Sequence, residues 1–121
     1  HFVNARAEDA GHNPQHRAKY DVVLARAVAR LPALLEYLLP LAKVGGVCIA
    51  MKGGTVYTEV EDSSEALKAL GGHVEDVIEV TLPTLEETHY LVVVEKIAAT
   101  PKTYPRKAGT PTRSPIGSAQ E

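Results

Sequence analysis

Two cationic side chains stand where short apolar runs of the sequence end. Arg26 follows the run at residues 22–25, and Lys52 follows the run at 47–51 and precedes two glycines. A guanidinium presents hydrogen-bond donors in a fixed planar arrangement that suits a carboxylate or an acceptor atom of a nucleobase. An ammonium is a compact point charge. Both residues are therefore candidate ligand contacts. The alternative for Arg26 is a surface arginine that caps a strand.

The elements that must position these cations are short buried strands. Residues 22–25 form an uninterrupted apolar run, preceded by Asp21, in which no polar residue alternates with the apolar ones. Such a run predicts a strand buried on both faces of a parallel sheet, and residues 47–51 predict a second one. In sheets of this kind ligands bind outside the carboxyl ends of the strands, where Arg26 and Lys52 fall.

The remaining predicted elements complete an α/β pattern. In chain order they are half a strand at 2–9, the strand at 20–25, a helix that opens at Leu31-Pro32 and ends at 43–46, the strand at 47–51, a helix at 59–70, an alternating strand at 73–82 and a last strand at 89–96. A short acidic loop joins the last two strands, so they must pair antiparallel. A doubly wound sheet that ends in such a hairpin is typical of S-adenosylmethionine-dependent methyltransferases, although a fold does not fix a function.

Composition limits the classes of protein and site. The 121 residues suffice for one domain, and a net charge of −2 gives no overall nucleic-acid signature. Cys48 is the only cysteine, which excludes an internal disulfide, and its apolar neighbours predict a core residue. The five histidines lack metal-ligand spacing, and no apolar run reaches the length of a membrane span. These features predict a protein of a reducing compartment.

The segment 100–121 differs from the rest of the chain because it is basic and rich in proline. It contains four cationic residues and a single acidic one, Glu121. Proline-rich sequence with spaced cations is extended, and recurring prolines disfavour a regular helix. One interpretation is a disordered tail. The other is an arm that lies on nucleic-acid phosphates, with Tyr104 available for stacking on a base.

Several short motifs occur in an order that resembles one protein family. They are Arg6-Ala7-Glu8-Asp9, Tyr20-Asp21-Val22-Val23, Ala25-Arg26-Ala27-Val28-Ala29, Met51-Lys52-Gly53, Leu82-Pro83, His89-Tyr90-Leu91-Val92-Val93 and Tyr104-Pro105-Arg106-Lys107-Ala108-Gly109-Thr110-Pro111. Together they resemble the C-terminal half of the RsmG (GidB) family of bacterial 16S ribosomal RNA guanine-N7 methyltransferases. The resemblance covers nearly the whole chain, and the tail motif is its most specific part.

The resemblance implies a fold and a set of site residues. The fold is α/β, the C-terminal part of a Rossmann-like S-adenosylmethionine-dependent methyltransferase fold at 1–99, followed by the basic tail at 100–121. The residues implied to contact S-adenosylmethionine are Ala7, Glu8 and Arg26. Glu8 has an alternative role as an acid favoured by a helix dipole. The candidate RNA contacts are Arg30, Lys52, Lys102, Arg106 and Lys107, each of which could instead be a solvated charge.

The resemblance also implies the chemistry and the cellular setting. Guanine N7 carries an in-plane lone pair and no proton, so the transfer needs positioning rather than a general base, and no catalytic residue or metal is predicted. The partner is small-subunit ribosomal RNA or the subunit itself, in the cytoplasm and away from membranes.

A departure from the family leads to a further expectation. The family's glycine-rich turn after its first strand and the acidic residue after its second strand have no counterpart in residues 1–121. We therefore expect a C-terminal half that is inactive alone, with an open apolar sheet edge at 20–25 or 2–5. The alternatives are a non-catalytic RNA-binding accessory module, or a different methyltransferase that shares only the cofactor half.

Overall fold

The computed structural model describes residues 12–26, 30–81, 88–106 and 110–117. Within these ranges the elements are β1 (Tyr20–Arg26), α1 (Leu31–Leu38), a 3-10 turn (Leu39–Leu41), β2 (Ala42–Lys52), α2 (Val56–Asp62), α3 (Ser64–Leu70), β3 (Gly72–Val80), β4 (His89–Lys96) and α4 (Thr110–Arg113). The half strand predicted at 2–9 lies outside the described residues.

The sheet has the predicted mixture of strand directions. Its order is β1-β2-β4-β3, with β1 at one edge of the described strands. β1 runs parallel to β2, while β4 is antiparallel to both β2 and β3. A parallel pair that continues into an antiparallel hairpin confirms the predicted α/β class.

The core lies on one face of this sheet, beneath the helices. Alternate residues of the two central strands point toward it, and α1 contributes the largest apolar side chains. The buried members include Cys48, Ala50, Val92, Val94, Leu31, Leu35, Leu39, Val56, Ala66 and Leu70. Cys48 is 1% exposed, as predicted for a core residue. Burial raises the pKa of its thiol to about 12, so the thiol stays protonated at neutral pH.

The prediction that residues 22–25 are buried on both faces is wrong. Val22 is 51% exposed and Leu24 is 71% exposed, whereas Val23 and Ala25 pack against the core. The reason is that the helices among the described residues cover one face only. The other face keeps a shallow apolar groove of about 280 Å³ lined by Leu24, Ala25, Ile49, Met51 and Leu91.

Two predicted helix boundaries are also wrong. The helix predicted to end at 43–46 stops at Leu38, because Pro40 cannot continue the helical hydrogen bonds, and residues 43–46 belong to β2. The helix predicted at 59–70 is two helices that meet at Ser63, whose hydroxyl donates to the carbonyl of Glu59 at 2.6 Å. A side chain that bonds the preceding turn competes with the regular ladder.

The turn after α3 requires glycine. Gly71 has a φ of +83°, in the left-handed region, and its N–H donates to the Leu67 carbonyl at 2.9 Å. A Cβ at this position would lie 2.3 Å from the Ala98 carbonyl oxygen. After this turn, an irregular register between Val74 and Asp76 puts Val77 against the core and leaves Ile78 exposed.

The described part of the tail, 100–106 and 110–117, packs against the body, which contradicts the interpretation as a disordered tail. The interpretation as an arm on nucleic-acid phosphates stays a prediction. Thr100 is buried and its hydroxyl donates to the Leu70 carbonyl at 2.6 Å. Pro105 and Pro111 are also buried, and the short helix α4 packs against α1. Pro111 is compatible with this helix because it lies in the first turn, where its missing N–H costs nothing.

Candidate functional site at the carboxyl ends of the strands

Parallel pairing brings the predicted cations to one edge of the sheet. Arg26 at the end of β1 is in register with Met51, the residue before Lys52 at the end of β2. The antiparallel strand β4 begins at the same edge, since Lys52 is in register with Tyr90. Tyr90 in turn makes an edge-to-face contact with Tyr57, with ring centroids 5.6 Å apart. The backbones of Arg26 and Lys52 therefore lie at neighbouring strand ends, and the roles of both residues as ligand contacts stay predictions.

A buried carboxylate, Glu59, organises the loops at this edge. Its Oε1 accepts a hydrogen bond from the backbone N–H of Leu31 and forms an ion pair with Lys52 Nζ, both at 2.8 Å. Its Oε2 accepts from the Thr55 hydroxyl at 2.7 Å. Glu59 thus joins the start of α1, the end of β2 and the turn before α2. Its place at the start of the helix predicted at 59–70 gave no indication of this role.

The charge of Glu59 is stabilised by these donors. Burial acts to raise the pKa of Glu59, but hydrogen bonds from Lys52, Thr55 and the Leu31 amide outweigh it and hold the pKa below its ordinary value. The carboxylate is therefore ionised at neutral pH and neutralises the ammonium of Lys52. The Lys52 side chain is only 8% exposed. Its proposed contact with RNA stays a prediction, and such a contact would compete with Glu59.

Arg30 lies at the outer rim of the same edge. Its Nη2 donates to Asp62 Oδ2 at 2.8 Å, and both side chains are more than half exposed. An exposed pair of this kind contributes little to stability. A contact between Arg30 and RNA stays a prediction.

The structure places the predicted tail cations in different environments. Arg106 is used internally: its Nε and Nη2 donate to the carboxylate of Glu36 at 2.8–3.2 Å, and its backbone N–H adds a bond of 2.7 Å. The side-chain hydrogen bonds that Arg106 donates to Glu36 raise the pKa of Arg106 above its already high value. Lys102 is exposed, and Lys107 lies outside the described residues. An RNA contact by any of the three stays a prediction.

A second anchor of the tail, Arg17, was missed by sequence reasoning. Its guanidinium donates to the carbonyls of Tyr104, Thr100 and Pro101 at 2.6, 3.0 and 2.9 Å. Nothing in the polar stretch around Arg17 distinguishes it from a loop residue. Glu36 carried a readable signal, because it is an acid inside the leucine-rich stretch of α1, where it is 0% exposed.

The predicted cofactor contacts are only partly covered by the structure. Ala7 and Glu8 lie outside the described residues, and Arg26 is placed by its backbone at the carboxyl end of β1. The described ranges contain no cluster of three side chains able to hold a metal ion. They also contain no helix with the length and hydropathy that a membrane span requires.

A solved structure has a fold similar to that of this chain. The fold resembles the crystal structure of M1.HpyAVI with a TM-score of 0.55, over 80% of this chain and 55% of that chain. At 19% sequence identity this likeness concerns the fold alone. Together with the sheet order, it supports a Rossmann-like methyltransferase fold.

Sequence comparison then gives the family. The sequence profile of the GidB family, described as rRNA small subunit methyltransferase G, matches residues 1–90, and the chain belongs to this family. Similar relatives carry the name ribosomal RNA small subunit methyltransferase G. The one from Lactobacillus johnsonii is 54% identical over 115 residues, which are 95% of this chain and 48% of the relative. The one from Acetivibrio thermocellus is 51% identical over 94% of this chain and 47% of the relative. The chain thus spans about half the length of the curated relatives it matches.

Proposed function

We propose that this chain forms the C-terminal half of an enzyme that transfers a methyl group from S-adenosylmethionine to N7 of a guanine in 16S ribosomal RNA. The observation that carries this proposal is the family match over residues 1–90. The strand ends support it, because β1 and β2 end side by side at Arg26 and Lys52, at the edge where sheets of this type bind their ligands.

The proposed reaction requires this half of the enzyme to position the cofactor and the target base. S-adenosylmethionine supplies an activated methyl group, and guanine N7 offers a lone pair without a proton to remove. The residues proposed to hold the cofactor are Ala7, Glu8 and Arg26. The backbone N–H of Ala7 or Glu8 would donate a hydrogen bond to a ring nitrogen of the adenine. The Glu8 carboxylate would accept a hydrogen bond from the amino group of the adenine. The guanidinium of Arg26 would donate hydrogen bonds to a carboxylate or to an acceptor atom of the target base.

The surroundings of these residues favour a fixed geometry. Glu59 ties the start of α1 to the end of β2 through bonds of 2.8 Å, so these two segments at the strand ends are held together. Pre-positioned groups of this kind lower the entropy lost on reaching the transition state. Contact with the RNA phosphates is assigned to Arg30 and Lys102, with Lys52, Arg106 and Lys107 as further candidates. The proposed setting is the bacterial cytoplasm.

A methyl-transfer assay tests the proposal. The chain is joined to the N-terminal half of the Lactobacillus johnsonii relative and incubated with 16S ribosomal RNA and S-adenosylmethionine. N7-methylguanine is then detected by reduction and aniline cleavage of the RNA. We expect cleavage at one guanine, and an Arg26→Ala substitution should lower the transfer rate by about a hundredfold, as misplaced reacting groups do. The control is Arg113→Ala, an exposed arginine on α4.

Each alternative predicts a different result in this assay. If the joined protein binds 16S RNA but leaves every guanine unmodified, the non-catalytic accessory module is the better account. If methylation occurs at an atom other than guanine N7, the chain belongs to an enzyme with a different substrate. Equal rates for Arg26→Ala and Arg113→Ala would contradict the role assigned to Arg26.

A further inference from the structure

A cavity of about 500 Å³ lies at the opposite edge of the sheet from the proposed methyl-transfer site. It adjoins the start of β2 and the end of β4, and its wall includes His12, Arg17, Lys19, Lys96, Thr100 and Lys102. Four of these residues carry a full positive charge. None of the described residues that line it is an acid. In a chain with a net charge of −2, this concentration of cations is a local feature that needs an explanation.

Lys96 is the most unusual member of this lining. Its side chain is 2% exposed, and its Nζ donates to the Ala42 carbonyl at 2.7 Å. Buried lysines are normally paired with a carboxylate, but no acid of the described ranges forms an ion pair with Lys96. Burial lowers the pKa of Lys96, and the positive charge of Arg17 lowers it further. The two cations therefore destabilise each other across the cavity.

Arg17 is held in place independently of any ligand. Its three bonds to the carbonyls of Thr100, Pro101 and Tyr104 fix the guanidinium between β1 and the tail. The cavity thus has a buried ammonium and a fixed guanidinium in its wall, with the exposed Lys19 and Lys102 at its mouth. Its volume falls in the range of about 300–1,000 Å³ that is typical of small-ligand sites. A fixed set of donors with one sign of charge is complementary to a small anion.

We propose that this cavity binds a phosphate group, with Lys96 as its buried contact and Lys102 as a contact at its mouth. A tetrahedral anion offers several acceptor oxygens, which suits the free N–H groups of an ammonium that has one carbonyl partner. The phosphate could belong to an RNA strand or be free in solution, and the chemistry of recognition is the same. The proposal does not depend on methyl transfer, which is placed at the other edge of the sheet.

Calorimetric titration of the 121-residue chain with inorganic phosphate, at ionic strength held constant with sodium chloride, tests the proposal. Three variants each remove one positive charge: Lys96→Met in the wall, Lys102→Gln at the mouth and Lys68→Gln on α3, outside the cavity. We expect Lys96→Met to weaken phosphate binding at least about tenfold and Lys102→Gln about threefold, since charge-assisted bonds are lost. Lys68→Gln should bind as the unchanged chain does.

Two results would overturn the proposal, and a competition arm identifies the source of the phosphate. The proposal fails if the unchanged chain does not bind phosphate, or if Lys68→Gln weakens binding as much as Lys102→Gln. If Lys96→Met does not fold, the test compares Lys102→Gln with Lys68→Gln, because Lys102 is exposed and its replacement leaves the core unchanged. If a short oligouridine displaces the bound phosphate, RNA is the source of the phosphate group. If the oligouridine does not displace it, the ligand is free phosphate. No methyl donor is present, so failure of the proposed enzymatic function would appear only in the separate transfer assay.

Discussion

Replacing Arg106 with methionine is expected to lower the free energy of unfolding by about 3–5 kcal/mol, the range for removing one partner of a buried ion pair. The reason is that Glu36, which is 0% exposed, would lose the bonds from Nε and Nη2 of Arg106 and be left buried without its partner. The bond from Arg106 Nη2 to the Ser114 carbonyl at 2.7 Å would also be lost. The measurement is urea unfolding followed by circular dichroism.

Two further variants separate the ion pair from other effects of the substitution. Lys102→Met removes an exposed tail cation and should change the free energy of unfolding by less than about 0.5 kcal/mol. The double variant Glu36→Met with Arg106→Met removes both charges of this pair and should be more stable than Arg106→Met alone. If Arg106→Met unfolds at the same urea concentration as Lys102→Met, the tail is not held by this pair.

Replacing Glu59 with glutamine is expected to lower the free energy of unfolding by about 3 kcal/mol, because it leaves the ammonium of Lys52 buried without a counter-charge. The amide can still accept one hydrogen bond, which places the expected loss at the lower end of the range for buried pairs. Asp62→Asn is the matched control on the same helix. It breaks the exposed pair with Arg30 and should cost no more than about 1 kcal/mol.

The pH dependence of this difference supplies a second test of the Glu59 network. The pKa of Glu59 is held below its ordinary value of about 4.5. The carboxylate therefore stabilises the folded state fully above that value, and the stabilisation is lost as the pH falls through the lower folded pKa. The gap between the unchanged chain and Glu59→Gln should be widest at neutral pH and shrink on acidification. A gap that stays constant from pH 7 to pH 3 would contradict the assigned role of the charge.

Strand positions and the direction of pairing were predictable from the sequence because they depend on local patterns. Apolar runs at 22–25, 47–51 and 91–94 predicted three of the four described strands, and the short loop before β4 required an antiparallel pair. The positions of Arg26 and Lys52 at strand ends were predictable for the same reason, since both residues follow such runs directly. Burial was predicted less well, because Leu24 is apolar yet 71% exposed on the uncovered face.

The contacts that could not be predicted are those between residues distant in sequence. Glu36 and Arg106 are 70 residues apart, and Arg17 reaches carbonyls more than 80 residues away. Composition alone therefore made the tail look disordered, although these contacts fold it onto α1. Lys96 did carry a signal, because it shares the alternation of Val92 and Val94 and hence their buried face.

Binding of S-adenosylmethionine at the carboxyl ends of the strands is the central part of the proposed function. Ultraviolet cross-linking of tritiated S-adenosylmethionine to the protein joined to the Lactobacillus johnsonii N-terminal half, followed by peptide mapping, tests it most directly. We predict label in the peptide that contains Glu8 or in the one that contains Arg26. Label confined to residues beyond Lys96, or no label in any peptide of the chain, would contradict the account.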